Sequence, residues 1–100
     1  MANLTLTVKK KWFDMYVSGE KREDYREEKQ YWYKRLFKVV KIGNQSGIQP
    51  KKFDKVIIKN GYGKNAQTLT FKHVRTYIGS GDIELGAPAN YDDVIIIKMK

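Results

Sequence analysis

Four consecutive β-branched residues, Val94-Ile95-Ile96-Ile97, restrict what this chain can fold into more than any other stretch. Successive side chains of a strand point to opposite faces, so a run with no polar member must be covered on both sides. A central strand is therefore expected here, and the rest of the chain has to supply both covers. With 100 residues, 41% of them hydrophobic, the sequence is long enough for one compact core and too short for two ordinary domains. A single domain over residues 1–100 is the reading.

The remaining periodicities are mixed. Leu4, Leu6 and Val8 alternate with Thr5 and Thr7, the pattern of a half-buried strand. Trp12, Met15 and Tyr16 then recur at helical spacing, and Ser18-Gly19 supplies a helix stop. This aromatic stripe reads as core. From Lys21 to Glu27, period two places Arg22, Asp24 and Arg26 on one face and Glu23 and Tyr25 on the other. Trp32, Leu36, Val39 and Val40 fall at roughly helical intervals, so Gln30 to Val40 is expected to form a second helix with Lys34, Arg35 and Lys38 on a basic outer side. The Gly, Asn, Ser and Pro of residues 43–50 read as an exposed loop.

Phe53 to Asn60 and Gln67 to Tyr77 read as a hairpin joined through Gly61-Tyr62-Gly63-Lys64-Asn65. Its second strand changes apolar phase between Phe71 and Val74, which predicts a bulge near Lys72 or His73 and a curved sheet. Two helices among about five strands suit an α+β fold better than an all-helical or doubly wound one.

Twenty Lys and Arg against eleven Asp and Glu give a net charge of +9, which favours polyanionic partners through counterion release. Thirteen per cent aromatic residues among these cations add flat surfaces on which unstacked bases can pack. The absence of cysteine excludes disulfides and thiolate metal sites and fits a reducing compartment. No apolar run approaches the length of a membrane span, and Met1-Ala2-Asn3-Leu4 lacks the charged and apolar regions of a secretory signal. A cytoplasmic protein without membrane contact is expected. The acids are scattered and His73 is the single histidine, so neither a metal site nor a cofactor is expected. His73 reads as a structural or surface residue.

The densest chemistry lies in Gly19-Glu20-Lys21-Arg22-Glu23-Asp24-Tyr25-Arg26. An ammonium, a carboxylate and a guanidinium at this spacing can bind an anionic group, orient a ligand or hold a proton relay. Taken alone, the segment reads better as a strand edge with ordinary solvated ion pairs, which contribute little to stability. Its spacing, Gly-x-Lys-x-x-(Glu/Asp)-x-Arg, resembles the signature of ASCH domains, with Asp24 where that signature usually carries Glu. The stretch from Leu4 to Asp14, the pair Tyr31-Trp32, the loop from Gly81 to Pro88 and the strand at Val94 to Lys98 resemble, in the same order, parts of short stand-alone ASCH proteins of the kind carried by bacteriophages and prophages.

The resemblance implies a PUA-like mixed β-barrel that binds RNA or a nucleotide-like ligand. It implies a pocket around Lys21, Asp24 and Arg26 bounded by the loop from Gly81 to Pro88. The residues themselves offer Tyr31 for stacking a base and Lys34, Lys38 and Lys64 for phosphate contact. The resemblance also implies an alternative, because some members are amidohydrolases of N4-acetylated cytidine that act through Lys, Thr and Glu. Lys21 matches that lysine, the threonine position falls on Asp24, and Glu84 is an acidic candidate on the closing loop. Hydrolysis of a modified nucleoside, or ribonuclease chemistry, would then use Lys21 and Asp24 for proton transfer. A third reading is a phage-encoded protein that blocks a host nucleic-acid-handling protein.

Overall fold

The strand at the end of the chain is buried on both faces, and the two faces belong to different clusters. In the computed structural model, which describes residues 2–89 and 92–100, Val94–Met99 pairs with a strand on either side. Ile95 and Ile97 join Leu4, Leu6, Phe13, Tyr16, Val56 and Ile58 in the larger core. Val94 and Ile96 face the other way and pack with Tyr25 and Ala87.

The elements are β1 (Leu4–Val8), α1 (Lys10–Ser18), β2 (Glu23–Arg26), α2 (Gln30–Leu36), β3 (Phe37–Ile42), β4 (Gln45–Pro50), β5 (Lys55–Asn60), β6 (Thr68–Gly79), a 3-10 turn (Ile83–Leu85) and β7 (Val94–Met99). Five strands form a mixed sheet in the order β1-β5-β6-β7-β2, and β3 with β4 forms a separate two-stranded sheet. The β1–β5 pair is parallel and the other ladders are antiparallel. The fold is thus α+β with two helices, as the mixed periodicities require.

Among the described residues no ladder joins the sheet's two edges, β1 and β2, so the sheet is curled but is not a closed barrel. A side chain spans the seam instead: the Arg26 guanidinium on β2 donates to the Thr7 carbonyl oxygen on β1 at 3.3 Å.

Residues 30–50 differ from the sequence expectation. The second helix ends at Leu36, and Phe37 turns extended (φ −126°, ψ 159°) while its N–H still bonds the Tyr33 carbonyl. Val39 and Val40 therefore lie on a strand, where β-branched side chains are favoured, and not on the last turn of a helix. The expected loop at 43–50 contains β4, whose six residues are all exposed. Ile42 pairs with Gln45, leaving Gly43 and Asn44 as a two-residue turn. Gly43 takes φ +63°, which a glycine at the first turn position supplies without strain.

The β5–β6 hairpin forms as expected, and the register of β6 against β7 shifts between His73 and Arg75, where the change of apolar phase places a bulge. The His73 ring holds this corner, accepting from the Phe53 N–H at 3.3 Å and lying 2.9 Å from the Thr76 hydroxyl. Beyond β6 the chain folds back over the outer face of β7. Asp82 caps the 3-10 turn by accepting from the Glu84 N–H at 2.9 Å.

Gly81 makes that return close-fitting, because a Cβ there would stand 2.6 Å from Ala87 Cβ and 3.0 Å from a Val94 methyl. Gly81→Ala is expected to destabilise the fold by about 1–3 kcal/mol through overpacking. Gly47→Ala on β4, where a Cβ meets nothing within 4 Å, should change stability by less than about 0.5 kcal/mol. Urea midpoints of the two variants check this, and equal shifts would show that the return loop is not tightly packed.

Candidate functional site

Helix α1 stops at Gly19, whose φ of +91° is the left-handed conformation of a helix cap. The next residues turn back under the helix, with the Lys21 N–H bonded to the Met15 carbonyl at 3.2 Å. That turn drives Lys21 inward until only 2% of it is exposed. Its ammonium donates to the Leu85 carbonyl oxygen on the 3-10 turn. The rings of Tyr25, Tyr16 and Trp12 surround it, with centroids 4.6, 5.4 and 5.5 Å from Nζ. Such rings attract a cation through their negative faces. Burial nevertheless pushes the Lys21 pKa below its ordinary 10.5, with the Asp24 carboxylate opposing the shift.

Alternation on β2 sends Asp24 and Arg26 to the same side as Lys21. Asp24 is 4% exposed. Its Oδ2 accepts from Arg26 Nε at 2.6 Å, and its Oδ1 lies 3.3 Å from the Tyr16 hydroxyl. Burial, reinforced by the Asp24 charge, pushes the Tyr16 pKa well above the ordinary phenol value, so this hydroxyl stays protonated and donates. Arg26 in turn lays its guanidinium 4.7 Å from the Trp32 ring centroid. On the opposite side of β2, Glu23 accepts from the Tyr25 and Tyr77 hydroxyls.

Lys21, Asp24 and Arg26 converge on one cleft of about 450 Å³ at the seam between β1 and β2. Thr7 and Val8 of β1 and Lys9, which follows it, form one wall, and Trp12, Tyr25, Gly61, Tyr62 and Gly86 also line the cleft. Gly86 has φ +104°, and a Cβ there would lie 3.1 Å from the Trp12 indole, so a side chain would displace that ring. The Gly61 N–H bonds the Val8 carbonyl at 3.0 Å, tying the β5–β6 connection to the β1 wall. A second basin of about 330 Å³ shares Thr7, Arg26 and Tyr62 with the cleft and continues past Thr5 to Tyr31, Trp32 and Arg35.

The other sequence candidates lie apart from the cleft. Tyr31 stands in the second basin, 63% exposed and edge-on to Trp32. Glu84 is exposed on the 3-10 turn and does not line the cleft, although Gly86 does and the Leu85 carbonyl accepts from Lys21. Lys64 is exposed in the β5–β6 connection. Lys34 and Lys38 are exposed but sit on α2 and β3, so they do not share one helix face as expected.

Sequence reasoning missed Lys9, Trp12 and Tyr62 as cleft residues. Trp12 was indistinguishable from core because it shares the helical stripe with buried Tyr16. For Tyr62 a signal existed: an aromatic between two glycines in a hairpin connection has no core to enter, and it is 89% exposed.

The buried lysine generates a pH prediction. A folded pKa held below 10.5 means that the unfolded chain binds more protons between the two values, so stability contributed through this residue rises with pH across that window. The stability of the native chain relative to Lys21→Met should accordingly increase from neutral pH toward pH 10.5, since the comparison subtracts the tyrosines common to both. Denaturant unfolding at a series of pH values measures it, and 13Cε titration of Lys21 should give a pKa below that of the exposed lysines. A Lys21 titrating with the exposed lysines would contradict the dry, caged ammonium.

Comparison with known proteins returns no match, whether to a family model, a curated protein or a solved structure, and function has to be read from the cleft's own chemistry.

Proposed function

We propose that this chain is an ASCH-type, PUA-like module that receives one nucleotide of an RNA, or a nucleotide-like ligand, in the cleft between β1 and β2. The observation that carries the reading is the pairing, in one cleft, of the Trp12 and Tyr62 rings with the cations Lys9 and Arg26. A volume of about 450 Å³ lies within the range of small-ligand sites. An aromatic ring offers a stacking surface to any base, and the cations at the rim suit its phosphate. The Asp24 carboxylate keeps lone pairs beyond those used by Arg26 and Tyr16, so it can accept from an exocyclic amine such as that of cytosine. The second basin, with Tyr31 and Arg35, supplies room for a neighbouring nucleotide.

Calorimetric titration with mononucleotides at low salt tests the reading. Trp12→Ala should weaken binding by roughly 5- to 150-fold, the worth of about 1–3 kcal/mol of base stacking. Undiminished affinity in that variant would remove the cleft as the binding site.

One observation favours a hydrolase: Lys21 has a lowered pKa and borders the cleft beside a carboxylate. Against it, Asp24 cannot replace a hydroxyl nucleophile in kind. The native chain is expected to release no acetate from N4-acetylcytidine. Steady release that disappears in Lys21→Ala would make hydrolysis the function.

A further inference from the structure

The positive charge of this chain is not spread evenly. Residues 29–53 contain seven Lys and Arg and no Asp or Glu, against a net charge of +9 for the whole sequence. The middle of that segment is the β3–β4 ribbon, which forms its own two-stranded sheet outside the five-stranded one. Phe37 roots it in the core, and the Lys51 N–H closes its base on the Leu36 carbonyl at 2.8 Å. Beyond the root, Val39 pairs directly with Ile48, yet both are more than half exposed, as is Ile42. The ribbon's polar side chains are Lys38, Lys41, Asn44, Gln45, Ser46 and Gln49.

At the ribbon's base, a depression of about 390 Å³ between β4 and the β6 bulge is lined by Lys51, Lys52 and Arg75, with no carboxylate among its lining residues. Burial pushes the His73 pKa in the same depression below its ordinary value, so that ring adds no charge at neutral pH.

From this juxtaposition we infer that the β3–β4 ribbon and the depression at its base form a second docking surface, separate from the cleft, for the phosphate backbone of a nucleic acid. Charge decides the occupant. A second copy pairing edge to edge through β4 would bring two segments of like charge together, whereas a polyphosphate releases counterions for each lysine it engages. Two strands about 4.8 Å apart are narrow enough for the major groove of duplex DNA, about 12 Å wide. A-form RNA would instead offer its broad minor groove, and a single strand its bare backbone. The inference rests on the nucleic-acid reading for its ligand class only, since its residues are not those of the cleft.

The test is fluorescence anisotropy with labelled single-stranded RNA, duplex RNA and duplex DNA between 50 and 200 mM salt. The variant is Lys38→Ala with Lys41→Ala and Lys52→Ala, all three exposed in the native chain. For the polymer that binds most tightly, these changes should lower the slope of log K against log salt by about 2–3, at about 0.7 per phosphate for a single strand and 0.9 for B-form DNA. Affinity at 50 mM salt should fall roughly 10- to 100-fold, while mononucleotide affinity and the urea midpoint stay unchanged. The ranking of the three polymers identifies the source of the phosphates. An unchanged salt slope in the triple variant overturns the proposal. So does competition by polyglutamate equal to that of nucleic acid, which would assign the ribbon to an acidic protein. Failure of mononucleotide binding in the native chain, with the slope change intact, would instead overturn the cleft reading and leave the ribbon assignment standing.

Discussion

Both faces of β7 must be kept from water, and this constraint organises the molecule. Ile95 and Ile97 demand one cover and Val94 and Ile96 another, in a chain with few residues to spare. Helix α1, through Phe13 and Tyr16, supplies the first. The return loop after β6 supplies the second by pressing Ala87 against Val94 and Tyr25, which is why Gly81 has no room for a side chain. The apolar run Val94 to Ile97 stabilises through area removed from water, roughly 25 cal/mol per Å², and the strand's one charged residue, Lys98, is left exposed. The site can therefore form only where the sheet's edges leave a gap.

That gap lies between β1 and β2, and it holds the costliest groups in the protein. Burying a lysine and an aspartate is unfavourable unless partners offset the lost hydration. Here Lys21 finds the Leu85 carbonyl and three ring faces, and Asp24 finds Arg26 and the Tyr16 hydroxyl. The same contacts unite α1, β2 and the 3-10 turn around one cleft, and Arg26 reaches across to β1. Stability alone would be served as well by apolar side chains of similar volume. Charged groups held dry beside an open cleft suit recognition of a polar ligand, which is the basis of the function proposed above.

The ribbon follows a different physical rule. It buries little beyond its root, and an isolated two-stranded sheet is marginal in water, so its persistence depends on Phe37, on the Val39–Ile48 pair and on the tight turn at Gly43. Its lysines face solvent, where charge acts over a Debye length of about 8–10 Å, whereas the cleft acts at contact. In the reading proposed above, long-range attraction and short-range discrimination would thereby fall to separate elements.

By itself the sequence determined those features whose cause is local. The alternation of Leu4, Leu6 and Val8, the glycine stop at Gly19, the β5–β6 hairpin, the change of phase at the β6 bulge and the two-faced burial of Val94 to Ile97 each follow from side-chain period or backbone freedom within a few residues. So does the shared face of Asp24 and Arg26. Tertiary structure decided the rest. Trp32, Leu36, Val39 and Val40 match a helical period, yet the chain turns extended at Phe37, because the core takes Leu36 and Phe37 and β4 offers the following residues a ladder. Whether Trp12 belonged to the core or to a cleft, and whether Lys21 pointed to water or to Leu85, depended on segments more than sixty residues away in sequence. No local period can encode such contacts, because they exist only once the sheet has curled and brought its two edges within the reach of one arginine.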